Sequence, residues 1–411
     1  MGQINKSKPK TRKFNKKYFK NLKKTIKRLP IKNSTNIQKG GVKLGEGGEG
    51  CIVKPHIQCS RKITGDYVSK IKRIENEDDR IDMIQEMKIH TILTKLDPKS
   101  KYFAYNIDIC FIENTVSRNN IVYTNKKTGH RKKCRIDPNI NTVNYIMPYA
   151  GIDIEDVLSG RKYSKVRKFV NLKFKSITKH LLIGLKKLHS NYIVHHDIKP
   201  ENLALRIISQ TPFIRYLDFG LTENYRFINK TSYGQLFTNA FGSAPFISAD
   251  KYIIASLNRE ISKYNKKNLL NNSIKNKILN KVYGKILDTN LQYYRYSIGL
   301  NKQTLKFPEF TENNTLKKDR DIIQIGDISD IYDILVKLIL NNTFLDEYYK
   351  QIDGIVYKFD IYSLGIVFFE MQKYCGFEND DFLELVRNMI NTNPIKRYNI
   401  NQCLKHSFYK N

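Results

Sequence analysis

Two short motifs constrain the fold of this chain more than any other feature. Residues 195 to 202 read His-His-Asp-Ile-Lys-Pro-Glu-Asn, and Asp-Phe-Gly follows at 218 to 220. Between the motifs lie two β-like runs, 203–208 and 213–217, joined by turn-forming residues. A hairpin of this kind returns the chain to its starting point. The side chains of Asn202 and Asp218 are therefore expected to lie close together.

The side chains of these motifs suit phosphoryl transfer. Asp197 can accept a proton from an attacking hydroxyl, and Lys199 can neutralise the moving phosphate. Asn202 and Asp218 can hold Mg²⁺ against a nucleotide. Little covalent chemistry falls to the protein in such a reaction, so positioning and charge must supply the catalysis.

Length and charge limit the class of protein that this chain can be. With 411 residues, of which 40% are hydrophobic, the chain is long enough for a large core and for about two or three domains. The net charge is +33, and Lys and Arg crowd the segment before the first acidic residue, Glu46. Asn, Ile, Lys and Tyr are frequent and Trp is absent, which also indicates an A+T-rich genome. The global charge is therefore a weak guide to partners.

Cysteine usage and hydropathy predict a soluble, intracellular protein. The six cysteines include no Cys-x-x-Cys pair and no zinc-ligand spacing, which predicts reduced thiols in a cytosol-like compartment. No apolar run approaches the roughly 18 residues of a membrane span, and the N-terminus lacks the apolar core of a secretory signal.

The residue pattern divides the chain into three parts. Residues 1–38 are Lys-rich without apolar periodicity, which predicts a disordered arm that either solubilises the chain or contacts nucleic acid or an anionic surface. Residues 39–147 are typical of a small sheet domain with one helix, at about 79–96. From 148 onwards the pattern is mainly helical, and residues 251–357 are rich in Asn, Lys and Tyr without a recognisable site.

In their order along residues 39 to 408, these motifs resemble the eukaryotic-type protein kinases. The resemblance implies a bilobal α+β fold, with a small β-rich N-lobe in 39–147. It implies that 148–411 form the hinge and a mainly helical C-lobe, in which 251–357 are a large insertion. It also implies ATP and Mg²⁺ as cofactors and a protein substrate with a Ser or Thr acceptor. The form of the glycine run, the Asn/Lys-rich filler and the Tyr-Val-Ser-Lys segment at 67–70 together resemble Ser/Thr kinases of large DNA viruses.

A glycine run near the start of the sheet domain resembles the kinase loop whose backbone amides cover the nucleotide phosphates. The residues implied at the nucleotide are Gly45, Glu46, Gly47, Gly48, Glu49, Gly50 and Ile52. A dinucleotide-binding loop is the alternative, with Asp66 as its acidic residue. That loop requires a helix directly after the glycines, whereas residues 51–53 are β-like and Pro55 interrupts any helix. A strand-turn-strand arrangement is therefore predicted.

The resemblance also assigns residues to the rest of the nucleotide. Lys70 is similar to the strand lysine that pairs the α and β phosphates, and Glu86, in the following helix, is its implied ion-pair partner. Lys72 points the same way along the strand and is the rival assignment. The residues that match the adenine and ribose positions are Met147, Pro148, Ala150 and Asp153.

Other positions in the second half either match the family or depart from it. His196 replaces the arginine that in the family commonly receives an activation-loop phosphate, which puts phosphorylation-gated activation in question. His195 is expected to pack near Phe219, and Asp360 to brace the backbone of the catalytic loop. Ser243 matches a small hydroxyl residue that contacts the catalytic groups, and Asp250 is the implied partner of Arg397.

Three classes of function remain open. An active Ser/Thr protein kinase is favoured because six groups stand in family order: Lys70, Glu86, Asp197, Lys199, Asn202 and Asp218. A catalytically silent kinase-like scaffold is the second, suggested by His196, Asp250 and the insertion. A small-molecule phosphotransferase, such as an aminoglycoside or choline kinase, fits Asp197 and Asn202 but not Lys199 or Arg397.

Overall fold

The computed structural model divides the chain into two compact units. One lies within Met1–Glu77 and Asn106–Met147, and the other within Asp78–Tyr105 and Pro148–Asn411. The residues that the structure describes are 42–47, 50–59, 62–112, 122–124, 131–133, 141–225, 256–257, 259–282, 332–333, 336, 354–391 and 394–410. The arm predicted at 1–38 and most of the insertion predicted at 251–357 lie outside these ranges.

The first unit is built on a five-stranded sheet in the order β1-β2-β3-β7-β4. Its strands are β1 (Val42–Gly47), β2 (Gly50–Lys54), β3 (Tyr67–Ile74), β4 (Asp108–Ile112) and β7 (Asn141–Pro148). The pairs β1/β2, β2/β3 and β4/β7 are antiparallel. A separate hairpin pairs β5 (Val122–Thr124) with β6 (Arg131–Lys133). The β-branched and apolar residues of these strands favour such a pleated, half-buried surface.

A disulfide lies in the core of this unit. Cys59 and Cys110 are bonded, with their Cα atoms 5.8 Å apart, and they pack against Ile63 and Ile146. Cys51 is disulfide-bonded as well. The prediction of reduced thiols is therefore wrong for these three cysteines. Cys59 and Cys110 stand 51 positions apart, and only the folded sheet brings them together, so their spacing carried no signal.

The second unit is mainly helical, and α4 shows how its core forms. The apolar residues of α4 that recur at spacings of three and four are at most 1% exposed: Ile177, Leu181, Leu185 and Leu188. The helices with defined bounds are α1 (Glu77–Leu96), α2 (Ile154–Ser159), α3 (Ser164–Leu172), α4 (Phe174–His189), α5 (Ile355–Cys375), α6 (Asp380–Met389) and α7 (Ile400–Lys405). Across the described ranges, no helix combines the length and apolar content needed to cross a membrane.

Short strands in the second unit position the polar motifs. They are β8 (Ile152–Asp153), β9 (Ile193–Val194), β10 (Leu203–Ile208), β11 (Thr211–Tyr216) and β12 (Glu223–Asn224). β10 and β11 form the predicted antiparallel hairpin, whose turn residues Ser209 and Gln210 have positive φ angles. β8 pairs with β10, and β12 pairs with β9. An N-terminal sheet followed by helices with small strands gives an α+β class, as predicted.

Candidate active site

A buried carboxylate on α5 braces the loop that carries Asp197. Asp360 is fully buried and accepts hydrogen bonds from the backbone N–H groups of His195 (2.8 Å) and His196 (2.9 Å). His189 Nε2 lies 3.1 Å from the same carboxylate. Burial alone would raise the pKa of Asp360, but the hydrogen bond with His189 and the nearby imidazoles outweigh it and lower the pKa. The predicted brace is therefore confirmed, while the contribution of His189 was not foreseen.

Two neighbours in the loop hold the carboxylate of Asp197. Lys199 Nζ lies 2.9 Å from Asp197 Oδ2, and Asn202 Nδ2 donates to the same oxygen at 2.8 Å. Asn202 Nδ2 also lies 2.8 Å from the backbone oxygen of Asp197. The side chain of Asp197 is 13% exposed. Within the described part of the chain both side-chain contacts use Oδ2, which leaves Oδ1 to accept a proton.

The β10–β11 hairpin returns the chain to Asn202, as predicted. The backbone N–H of Leu217 donates to the backbone oxygen of Asn202 at 2.8 Å, and Asp218 is the next residue. Asp218 has a φ of +52°, a left-handed conformation that is uncommon for a residue other than glycine. Because the amide nitrogen of Asn202 is used on Asp197, the side-chain oxygen of Asn202 is the atom that can face a cation.

The donor set of Asn202 and Asp218 fits Mg²⁺. Both residues offer oxygen ligands, which are the ligands that this ion prefers, and Mg²⁺ usually keeps several waters and substrate phosphate oxygens in its coordination sphere. No group of three His, Cys, Asp or Glu side chains in the described ranges forms a metal cage.

Aromatic packing anchors the residue after Asp218. Phe219 is fully buried, and its ring centroid lies 5.1 Å from that of His195, 5.7 Å from that of His90 and 6.1 Å from that of Phe103. His195 Nε2 lies 2.9 Å from the backbone oxygen of Leu217. His195 is thus a packed structural residue, as predicted.

His196 joins the loop to the segment that begins at Asp218. Its Nε2 lies 2.8 Å from the hydroxyl of Tyr225 and 3.7 Å from the carboxylate of Glu223. The backbone N–H of Tyr225 also donates to the backbone oxygen of Tyr192 at 2.8 Å. This contact was not predicted, because the sequence gives no signal that links residues 29 positions apart in a loop.

Several carboxylates interact near this loop. Asp153, predicted at the ribose, caps α2 by accepting a hydrogen bond from the backbone N–H of Asp156 at 2.6 Å. Burial raises the pKa of Asp153. Burial, followed by the charges of Glu155 and Glu201, raises the pKa of Glu370 to about 7. Glu370 was not singled out from the sequence, since it lies 169 positions after Glu201.

The residues predicted at the adenine lie where the two units join along the chain. Met147 is half-buried near the end of β7, and Pro148 is the last residue of that strand. Ala150 is 8% exposed, and it belongs to an apolar cluster in the second unit that contains Ala104, Ala204 and Leu217.

The described glycines of the run lie in two paired strands, β1 and β2, which agrees with the predicted strand-turn-strand arrangement. Gly47 is paired with Gly50, and Gly45 is paired with Ile52, in the antiparallel β1/β2 register. A strand, β2, follows the glycines where a dinucleotide-binding loop requires a helix. Two of the predicted residues, Gly48 and Glu49, lie outside the described residues.

The register of β2 and β3 separates the two candidate lysines. Lys70 is paired with Ile52 and is half-buried, whereas Lys72 is paired with Gly50 and is 8% exposed. Residues two apart on a strand share one face, so both lysines lie on the same side of the sheet. In the second unit, Glu86 is 3% exposed on α1, with Oε1 at 3.4 Å from His90 Nε2.

Two further predicted residues, Ser243 and Asp250, lie outside the described residues. Arg397, the predicted partner of Asp250, is 1% exposed. Its Nε donates to the backbone oxygen of Asn391 at 2.8 Å and its Nη1 to that of Lys358 at 3.0 Å. These contacts anchor the guanidinium between α5 and the segment before α7.

Residues 111–254 match the family model described as "Protein kinase domain". Cyclin-dependent kinase G1 of Arabidopsis thaliana is 33% identical over 87 residues, which cover 21% of this chain and 13% of the relative. Cyclin-dependent kinase 7 of Caenorhabditis elegans is 24% identical over 123 residues, covering 30% of this chain and 32% of the relative. Serine/threonine-protein kinase chk-1 of Caenorhabditis elegans is 48% identical over 48 residues, covering 12% of this chain and 9% of the relative.

The similarity is confined to part of each protein. The chain spans 32% or less of the length of each of these three relatives. The family match includes Asp197, Lys199, Asn202 and Asp218 but begins after the glycine run, Lys70 and Glu86. The segment that builds the candidate active site is therefore similar to a protein kinase domain, with a serine/threonine kinase among its relatives.

Proposed function

We propose that this chain is a serine/threonine protein kinase, which transfers the γ-phosphoryl group of ATP to a Ser or Thr hydroxyl of a protein substrate. The observation that carries the proposal is the loop geometry in the second unit. Lys199 and Asn202 hold the carboxylate of Asp197 at 2.9 and 2.8 Å, and the backbone N–H of Leu217, the residue before Asp218, donates to the backbone oxygen of Asn202. The kinase-domain match over residues 111–254 supports the same conclusion.

Each residue of the loop has a separate task. Oδ1 of Asp197 orients the substrate hydroxyl and accepts its proton, since Oδ2 is engaged by the neighbouring side chains. Lys199 holds the carboxylate of Asp197 in place and neutralises charge on the transferred group. The oxygens of Asn202 and Asp218 would hold Mg²⁺, which when bound neutralises charge on the nucleotide phosphates. Asp360 keeps the loop in the geometry that these tasks require.

A lysine of β3 would bind the nucleotide phosphates, and the strand register favours Lys72 over Lys70. Residues directly opposite each other on paired strands project side chains on the same face. The neighbour of Lys72 on that face is Gly50, which has no side chain, whereas the neighbour of Lys70 is Ile52. Gly50 therefore leaves more room for a phosphate beside Lys72 than Ile52 leaves beside Lys70.

The test is transfer of radiolabelled phosphate from ATP to a generic basic protein. Asp197→Asn should lower kcat by about 10²- to 10⁴-fold, the usual contribution of a positioned base. Asp218→Asn should lower it by about a hundredfold or more, because loss of a metal ligand costs several kcal/mol of transition-state stabilisation. Asp381→Asn, an exposed carboxylate on α6, is the matched control and should leave kcat unchanged.

The same assay separates the alternatives. If no protein is labelled while ATP still binds, the chain is a kinase-like scaffold. Labelling of aminoglycosides or choline, but of no protein, would favour a small-molecule phosphotransferase. If the wild type and Asp218→Asn label protein equally, the assignment of Asp218 to the metal is wrong.

A further inference from the structure

The backbone of Tyr149 is held by two arginines of the β10–β11 hairpin. Nη1 of Arg206 donates to the backbone oxygen of Tyr149 at 3.2 Å, and Nη1 of Arg215 donates to the same oxygen at 3.3 Å. Nε of Arg215 also donates to the backbone oxygen of Ser100 at 2.6 Å. The guanidinium carbon of Arg206 lies 5.5 Å from the ring centroid of Tyr149. Both arginines therefore act on one residue, which directly follows the end of β7.

The fold places these two positive charges side by side. Arg215 is paired with Ala204 across the hairpin, and Arg206 lies two residues after Ala204, so both arginines project from the same face. Burial lowers the pKa of the Arg215 guanidinium, and the charge of Arg206 lowers it further, whereas the charge of Asp97 opposes the shift. Two like charges repel each other, and an oxygen that accepts hydrogen bonds from both offsets part of that repulsion.

The chain also comes very close to β10 just after Tyr149. Gly151 has a φ of +112°, a conformation that side chains rarely adopt, and a Cβ at this position would collide with the backbone of Leu205. Ala150, between them, is 8% exposed and packs in an apolar cluster of the same unit. Residues 149–151 are therefore fitted to the hairpin by close backbone packing as well as by the arginines.

The contact with the arginines sets the direction of the neighbouring backbone groups. Tyr149 and Ala150 continue from β7 without a turn or a bend. Along an extended backbone, the N–H and C=O groups of one residue point to the side opposite those of the next residue. Because the carbonyl of Tyr149 faces the arginines, we expect the carbonyl of Pro148 and the N–H of Ala150 to point away from them. One acceptor and one donor are thus presented together on the side opposite the hairpin.

We propose that Arg206 and Arg215 are positioning residues for the adenine of ATP, a role that rests on the function proposed above. Adenine offers an amino donor next to a ring-nitrogen acceptor, which matches an acceptor and a donor side by side on the protein. The arginines act through the backbone of Tyr149 and not on the base itself. A backbone that is already held in one orientation binds its ligand without the entropic cost of ordering.

Calorimetric titration of the full chain with ATP and Mg²⁺, and separately with tripolyphosphate and Mg²⁺, tests this role, because tripolyphosphate carries no base. The double variant Arg206→Met, Arg215→Met should raise the Kd for ATP about 10-fold, the value of one or two misaligned hydrogen bonds. Its Kd for tripolyphosphate should change by less than about twofold, since the arginines do not position the phosphates. Arg206→Lys, Arg215→Lys keeps a donor at each position and should stay within about threefold of the wild type for ATP.

The matched control is Arg80→Met, Arg259→Met, which removes two arginines from exposed positions. It takes away the same charge and should leave both dissociation constants unchanged. Circular dichroism of each variant checks that the fold is retained. Should the double variant fail to fold, the single variant Arg206→Met decides, with an expected rise of about threefold in the Kd for ATP alone.

Each of the other outcomes would overturn the inference. An unchanged Kd for ATP in the methionine variants would mean that the backbone of 148–150 keeps its orientation without the arginines. Equal losses for ATP and tripolyphosphate would mean that the arginines act through net charge or through the fold as a whole. If the wild type binds ATP no more tightly than tripolyphosphate, the base is not recognised. If the wild type binds neither, the proposed kinase function fails as well, which distinguishes the two failures.

Discussion

The catalytic loop and the glycine hairpin serve one proposed reaction, yet they are stabilised in different ways. The loop at 195–202 is held by side chains, because Asp360 accepts two of its backbone N–H groups and Asn202 ties its end to Asp197. The hairpin of β1 and β2 is held by backbone pairing, with an irregular register between Lys43 and Gly45. Specific buried polar contacts fix the loop, whereas strand register fixes the hairpin.

This difference decides how clearly a sequence reveals each region. Polar contacts require particular residue types, so the loop is recognisable from the letters His-His-Asp-Ile-Lys-Pro-Glu-Asn alone. Register is the choice of which residues on two strands pair with each other. A slip of two residues changes that choice without altering the pattern of buried side chains. The choice between Lys70 and Lys72 is a problem of this second kind.

The largest effect should follow from removing the brace of the loop. Asp360→Ala leaves two backbone N–H groups without their acceptor, at a cost of about 1–3 kcal/mol each, so the free energy of unfolding should fall by about 3 kcal/mol or more. Urea denaturation measures the change. Asp381→Ala, which removes an exposed carboxylate, should cost under about 1 kcal/mol. Equal losses in the two variants would mean that Asp360 does not brace the loop.

The next largest effect concerns the two lysines that the register of β2 and β3 separates. If Lys72 binds the phosphates, Lys72→Met should weaken ATP binding by about 10- to 100-fold, the value of a charged contact of about 1.5–3 kcal/mol. Lys70→Met should change the Kd for ATP by less than about threefold. Isothermal titration calorimetry with ATP and Mg²⁺ distinguishes the two variants. The opposite ranking would restore Lys70 as the nucleotide lysine.

The charge around the loop should make stability depend on pH. The pKa of Glu370 is raised to about 7 in the folded chain, from an ordinary value of 4.5. The stabilisation that comes with its protonated form is therefore complete below about pH 4.5 and is lost as the pH rises through about 7. Glu370→Gln should therefore raise the free energy of unfolding at pH 8 by roughly 1–2 kcal/mol, allowing for solvent screening, and change it little at pH 5.

Thermal melts at pH 5 and pH 8 measure this difference. Glu378→Gln, which neutralises an exposed carboxylate, serves as the control. A gain in Tm from Glu370→Gln that is the same at both pH values would contradict the prediction. Such a result would mean that packing, rather than charge, explains the effect of the substitution.

The smallest effect should come from the contact between the loop and the segment after Asp218. Tyr225→Phe removes the hydroxyl that lies 2.8 Å from His196 Nε2, which should cost about 1 kcal/mol. Hydrogen exchange in the peptide 218–225 should become about fivefold faster as that segment opens more often. Tyr374→Phe, at an exposed tyrosine, should leave this peptide unchanged. Unchanged exchange in Tyr225→Phe would show that backbone pairing alone holds the segment.

Periodic patterns in the sequence predicted much of the second unit. The spacing of Ile177, Leu181 and Leu185 indicated α4, and the paired β-like runs indicated the hairpin of β10 and β11. Both are local features, in which neighbouring residues determine the structure. The brace by Asp360 was also predicted, although only through the resemblance to kinases and not through any local pattern.

Contacts between distant residues could not be predicted in this way. His189 contacts a carboxylate 171 positions later, and His196 contacts Tyr225 across a loop. The raised pKa of Glu370 requires Glu155 and Glu201 to come near it in the folded chain. None of these pairs leaves a periodic trace, since each depends on how elements pack after they have formed.

The cross-link between Cys59 and Cys110 makes one of the two units sensitive to chemical reductants and not the other. It closes a loop of 51 residues in the unfolded chain, and a chain-entropy estimate values that restriction at about 4 kcal/mol. Treatment with dithiothreitol removes this contribution from the sheet unit. The helical unit keeps its stability, because Cys375 and Cys403 are already free thiols. A reducing purification buffer therefore lowers the stability of the sheet unit alone.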